Sequence, residues 1–337
     1  MVLDHGLHRV GDRLDRTPVV APVGAVGGGT SGSSRPARPG GPWRSLNRAY
    51  HGRRRLGVGS LLGLPLTWML FVYIGSLVLL VYSALNPLDT QTQKPASGFT
   101  LDNLRQAFTE WDTVWGVLRT ALVALTVTVV CFAIALPVAF FVAKDAWRWA
   151  RRGIVVAMLL PLWAGYLVKG YAWRAMVSPA GNKFAAAGRG GGGFLQSTFG
   201  WTPGYGRVAI VVTLVYFWFP YMVLPIYAGL ERLPTSLLDA SGDLGARPFR
   251  TFRSVILPLL LPSIAAGSIF TFSLSLGDYI VPQIVNQGEE RFLFGSVINA
   301  VLGAPNQPLA AAYTLWPLMI IILYLLAMKR LGAFDNL

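Results

Sequence analysis

Cysteine and histidine are almost absent from this 337-residue chain, and their absence excludes several chemistries. Cys131 is the single cysteine, so neither an internal disulfide nor a cysteine-based metal centre can form. The only histidines, His5, His8 and His51, lie near the N-terminus, leaving the apolar body without a base for a Ser/His or Cys/His pair. Charge is scarce too: 13% of residues are charged against 53% hydrophobic, and the mean hydropathy of +0.50 is too high for a chain that keeps its surface in water. No G-x-x-x-x-G-K-[ST] loop occurs, so the chain does not cradle ATP phosphates by that route. Gly188 to Gly193 matches G-x-G-x-x-G, but no strand precedes it, and it reads as a flexible linker.

What the chain has in place of charge is a series of long apolar runs. Uncharged stretches recur at 56–88, 120–143, 208–230, 254–277 and 292–328, and each reaches the roughly 20 residues that cross a bilayer core. A further run at 153–177 is interrupted by Lys169 and Arg174. The pattern predicts six spans, at about 61–85, 115–143, 153–177, 208–230, 255–282 and 311–330, with both termini on one side. Cationic residues set that side. Arg44, Arg48 and Arg53 to Arg55 flank the first span; Lys144, Arg148, Arg151 and Arg152 follow the second; Arg232, Arg247, Arg250 and Arg253 follow the fourth; Lys329 and Arg330 close the last. They outnumber the cations of the alternate segments, which predicts that both termini face the cytoplasm. The net charge of +14 is thus largely a topology signal, and no nucleic-acid motif accompanies it.

Residues 1–58 are rich in Arg, Gly, Pro and Ser and read as a disordered cytoplasmic tail, either dispensable or in contact with anionic headgroups. The first apolar run follows about 55 polar residues and is too long for a signal-peptide core, so a true span is expected there. The transmembrane domain proper is expected over 114–329, with a cytoplasmic loop at 231–258.

That loop carries the most informative pattern, D-A-S-x-x-x-G-x(9)-V-I-L-P from Asp239 to Pro258. Pro234 fits a helix start, Ser236 and Asp239 have capping-box spacing, and Leu237, Leu238 and Leu244 form an apolar stripe. Gly245 suits the left-handed turn after a helix end. So short a helix is marginal alone in water. It reads either as loop filling or as a docking element.

The same stretch resembles the signature loop of ATP-binding-cassette importer permeases, E-A-A-x(3)-G-x(9)-I-x-L-P, with Asp239 in place of Glu and Ser241 in place of the second Ala. The resemblance extends over about 61–330. FTLDNLRQAF (99–108), LPLWAGYLVKGYAW (160–173), FPYMVLPIYAGLERL (219–233), SLGDYIVP (275–282) and NQPLA (306–310) are similar to the spermidine/putrescine permease subfamily. Permeases for iron, thiamine, phosphonates and opines share much of this pattern. The resemblance implies an all-α fold of six membrane helices, of the type I importer class, and no catalysis by this chain. It implies a second, homologous permease, a cytoplasmic ATPase dimer that binds ATP and magnesium, and an extracytoplasmic solute-binding protein. Ser236, Leu237, Leu238, Asp239, Ala240, Ser241, Leu244, Gly245 and Pro258 would then couple to the ATPase.

Ionisable groups in apolar spans are functional suspects. Asp278, with Tyr279, Lys169, Tyr166, Trp163 and Trp173, is a candidate wall of a substrate path, where a carboxylate and aromatic faces suit a polyamine cation. The competing readings are a snorkelling Lys169 and a structural ion pair of Asp278 with Lys169 or Arg174. Outside this class, an ion-coupled carrier would need internal acidic relays or an internal repeat, and neither is evident. A scaffold would leave the signature loop unexplained. The Phe99–Phe108 block predicts a short interfacial helix with Thr100 near its cap and Leu101, Leu104 and Phe108 on one face.

Overall fold

The computed structural model describes residues 42–330 apart from 90–94, 97, 180–191, 287–292 and 304–305, with side chains from residue 63 onward. The glycine-rich 188–193 linker lies mostly outside these residues, as does the tail up to residue 41. The chain divides into a unit up to Thr67 and a unit from Trp68. Among the described residues the structure is helical, the helices being numbered α1 to α13 in chain order with α6 (Phe194–Phe199) and α12 (Phe294–Gly303) as short connecting pieces, and one isolated bridge between Leu88 and Pro95 is its extended pairing.

Helix α1, Pro42–Ala84, begins well upstream of the expected first span, because Pro42 suits a first helical position and the arginines that follow are good helix formers. Its apolar stretch, Gly63–Ala84, is long enough to span a membrane and presents Phe71, Leu79 and their neighbours outward. Helix α2, Asp102–Thr109, matches the interfacial prediction in place and in most of its face, with Leu104 against the core and the Phe108 ring 4.6 Å from that of Trp316. Asn103 and Ala107 are its buried residues, while Leu101 stays exposed. Asn103 Nδ2 donates to the carbonyls of Ala84 and Asn86, which would otherwise be free at the end of α1. Thr100 Oγ1 accepts from the amide of Asp102, so the predicted cap residue does help start the helix.

The core consists of α3 (Trp111–Phe140), α7 (Arg207–Arg232) and α10 (Leu257–Gly277), each packed on the other two. Small residues allow the approach. A Cβ at Gly229 of α7 would collide with Ser263 of α10, and one at Gly267 of α10 would lie 3.0 Å from Met222 Sδ of α7. Phe217, Leu214, Met222, Ile226 and Leu260 fill the interface completely buried. α13, Gln307–Arg330, starts with Asn306 Oδ1 accepting the Leu309 amide, which accounts physically for the NQPL block as a helix cap.

Five described helices have the length and apolarity of spans, and a bent pair makes a sixth. The bent pair corrects the prediction of one continuous helix at 153–177. α4 (Arg148–Trp163) and α5 (Tyr166–Val177) meet at 99° across Ala164 and Gly165. Pro161 removes an amide donor in the last turn of α4 and Gly165 has a weak helix preference, so the helix ends where side-chain packing does not hold it. The molecule is a multi-pass membrane protein.

Candidate functional site

Two regions at opposite ends of α10 gather the sequence-predicted residues. The first is the loop between α7 and α10. Helix α8, Thr235–Asp243, contains no buried residue. The predicted capping box is absent: Pro234 occupies the cap position in extended conformation and makes no side-chain bond, which puts Ser236 inside the first turn. The C-terminal end forms as predicted. Gly245 has φ +74°, the Gly245 amide donates to the Gly242 carbonyl at 2.8 Å, and the Ala246 amide donates to the Ser241 carbonyl at 3.1 Å. These two bonds close a Schellman turn. No atom lies within 4 Å of where a Cβ on Gly245 would sit, so the glycine is required by its backbone conformation and not by space.

Leu244 is 88% exposed and Leu237 42%, while Leu238 turns inward against the core. Asp239 and Ala240 are exposed. Ser241 shares a 2.8 Å hydrogen bond with Thr251 of α9 (Pro248–Thr251), which ties the far side of α8 to the chain leading into α10. A π-helical turn, Phe252–Ile256, joins α9 to α10, and Pro258 lies exposed in the first turn of α10. Lys144, in the π-helical turn after α3, donates to the Leu233 carbonyl at 2.7 Å, and Arg151 donates to the carbonyls of Val142 and Ala143. Cations counted as topology markers therefore also satisfy helix C-terminal carbonyls. The result is a short, separately tethered helix with two outward leucines.

The second region lies where α10 stops at Asp278. Helix α11, Ile280–Val285, starts directly beyond it. Asp278 Oδ1 accepts the amides of Ile280 at 3.0 Å and Val281 at 3.1 Å, and Oδ2 accepts the hydroxyl of Tyr166, the first residue of α5. Of the competing readings, the ion pair of Asp278 with Lys169 or Arg174 does not form. The two amides at the start of α11 and a phenol reach the carboxylate first, and Lys169 Nζ sits 4.6 Å from the centre of the Phe217 ring. Tyr166 packs edge-on against Phe217 at 5.1 Å and lies 6.1 Å from Trp218.

A cleft of about 340 Å³ opens beside this junction, lined by Tyr166, Trp218, Ser273, Leu274, Asp278 and Tyr279 among others. Three of the predicted path residues thus come together. Trp163 stands 90% exposed at the end of α4, and Trp173 packs on Tyr216 at 5.3 Å, so neither lines the cleft. Trp218 and Ser273 were missed. Trp218 lies in the aromatic run Tyr216, Phe217, Trp218, Phe219 and Tyr221, which surrounds its helix and favours no face in the sequence, and Ser273 precedes Asp278 by about a turn and a half on one helix.

A multi-pass helical bundle carrying a tethered, outward-facing loop helix at one end and an aromatic cleft at the other has the form of a membrane transport subunit. The chain belongs to the family of binding-protein-dependent transport system inner membrane components, whose pattern it matches over residues 60–333. It is a non-catalytic permease subunit of an ATP-binding-cassette importer. It is 40% identical to the inner membrane ABC transporter permease protein YdcU of Escherichia coli K12, over 90% of this chain and 97% of that one. Identity to the spermidine/putrescine permease PotB of the same organism is 29%, over 80% and 95%. Among solved structures, it resembles a chain of a bacterial alginate ABC transporter captured with its loaded periplasmic protein, at a TM-score of 0.60 and 12% identity, over 86% and 96% of the two chains.

Proposed function

We propose that this permease moves polyamines such as putrescine and spermidine inward, driven by ATP bound with magnesium on a separate cytoplasmic ATPase dimer. A second, homologous permease completes the path, and an extracytoplasmic solute-binding protein delivers the substrate. The chain itself binds no cofactor. Both termini face the cytoplasm, a reading supported by the Lys and Arg bias of the sequence and by Lys144, whose ammonium donates to the Leu233 carbonyl just ahead of α8.

The carrying observation is the α8 loop: an unburied helix with outward Leu237 and Leu244, closed by a left-handed glycine and tied to both α7 and α9. Exposed leucines on a cytoplasmic helix call for a protein surface. Closure of the ATPase dimer displaces α8 as a lever, and α7 and α10, packed through Gly229 and Gly267, carry the displacement. α10 has 21 residues and is therefore roughly 30 Å long, which connects the loop to the Asp278 cleft with one rigid element. The polyamine reading is supported by that cleft, where a carboxylate lies beside the rings of Tyr166, Trp218 and Tyr279, and by the similarity to PotB.

The test is uptake by proteoliposomes containing the complete transporter. Putrescine uptake that requires both ATP and the binding protein is the expected result. Uptake driven by an ion gradient without ATP would overturn the coupling, and hydrolysis stimulated by a different solute but not by putrescine or spermidine would overturn the substrate class.

A further inference from the structure

The Asp278 cleft lies where two interrupted helices meet. α5 begins at Tyr166 immediately after the break at Ala164 and Gly165, and α11 begins immediately after Asp278. The hydrogen bond from the Tyr166 hydroxyl to Asp278 joins the two breaks. Below it, Gly170 of α5 approaches Ile284 of α11 so closely that an added Cβ would lie 3.0 Å from Ile284 Cδ1.

Asp278 is only 6% exposed, yet its partners are two backbone amides and a phenol, all neutral. A buried carboxylate in a membrane protein ordinarily finds a cation. The neighbouring cation, Lys169, sits over the Phe217 ring instead. An organic ammonium is the chemical complement of what is left: its charge suits the carboxylate and its methylene stem suits the faces of Tyr166, Trp218 and Tyr279.

We propose that Tyr166 is a displaceable latch, a positioning residue that holds Asp278 until an incoming ammonium replaces the phenol. Loss of that one bond releases the start of α5 from the α10–α11 junction and opens the cleft. The amides of Ile280 and Val281 stay on Oδ1, so α11 keeps its cap while Oδ2 changes partner. The inference rests on the polyamine reading for the identity of the ligand, but not for the latch itself.

The complete transporter in nanodiscs separates the two. With Ser273→Cys as a reporter in the cleft wall, and Cys131 buried, a hydrophilic maleimide is added without any solute. Tyr166→Phe keeps the ring contacts with Phe217 and removes only the hydroxyl. A hydrogen bond to a charged group predicts labelling about tenfold faster in that variant. Equal rates overturn the latch.

Putrescine is the probe for the second arm, in proteoliposomes. Tyr166→Phe lowers the half-saturating putrescine concentration, because the cation no longer competes with the phenol. Asp278→Asn, which keeps an oxygen for the α11 amides but no charge, abolishes putrescine uptake. An unchanged half-saturation in Tyr166→Phe overturns the displacement step. Absence of putrescine uptake in the parent protein overturns the ligand class, while the labelling comparison still decides the latch.

Discussion

Gly245 shows how far one residue can be understood from spacing alone. A glycine closing a short helix predicted the left-handed turn, and the turn has φ +74° with both Schellman bonds in place. Because the space a Cβ would occupy is empty to 4 Å, substitution strains the backbone and nothing else. Gly245→Val is expected to lose roughly 1–2 kcal/mol locally, to insert normally and to abolish transport. Gly245→Asn, which tolerates the same conformation, should retain much of it; uptake assays on the two variants check the ordering. Asp278 was legible as a suspect but not in its role. Its partner Tyr166 lies 112 residues away, and no periodicity within either helix announces the contact. Ser236 failed as a cap for a local reason: the extended Pro234 took that position two residues earlier.

At the scale of elements, apolar length located every span, whereas the break within the third did not show. Pro161 lies inside α4 in the same way that Pro220 and Pro225 lie inside α7, yet α7 continues and α4 stops soon after. The difference is packing: α7 buries residues along its whole length between α3 and α10, but α4 buries only Met158. Tertiary contacts therefore decide which proline-containing helices stay whole. The same packing makes Gly229 a sensitive point. Gly229→Ala drives a methyl into Ser263 and is expected to destabilise the α7–α10 pair by about 1–3 kcal/mol, seen as a lower thermal unfolding temperature in detergent. Adding Ser263→Gly restores the space and should recover most of the loss; a double variant no better than the single would place the strain elsewhere.

Across the whole molecule, fold class, the placing of the spans and the short glycine-stopped helix of the 231–258 loop follow from composition, charge and one spaced motif, because each depends on residues close in sequence. The cleft does not, since α5, α7 and the α10–α11 junction meet there through long-range contacts. The central claim concerns what the molecule does with its two ends: α8 receives force from an ATPase and α10 carries it to the cleft. Leu244 tests this most directly. At 88% exposure it supports nothing within its own chain, so Leu244→Asp should leave the protein inserted with an unchanged unfolding temperature. If α8 seats in the ATPase, a buried charge at that contact reduces ATP-dependent uptake in the reconstituted transporter by about tenfold or more. Uptake equal to that of the parent protein would contradict the coupling role of α8.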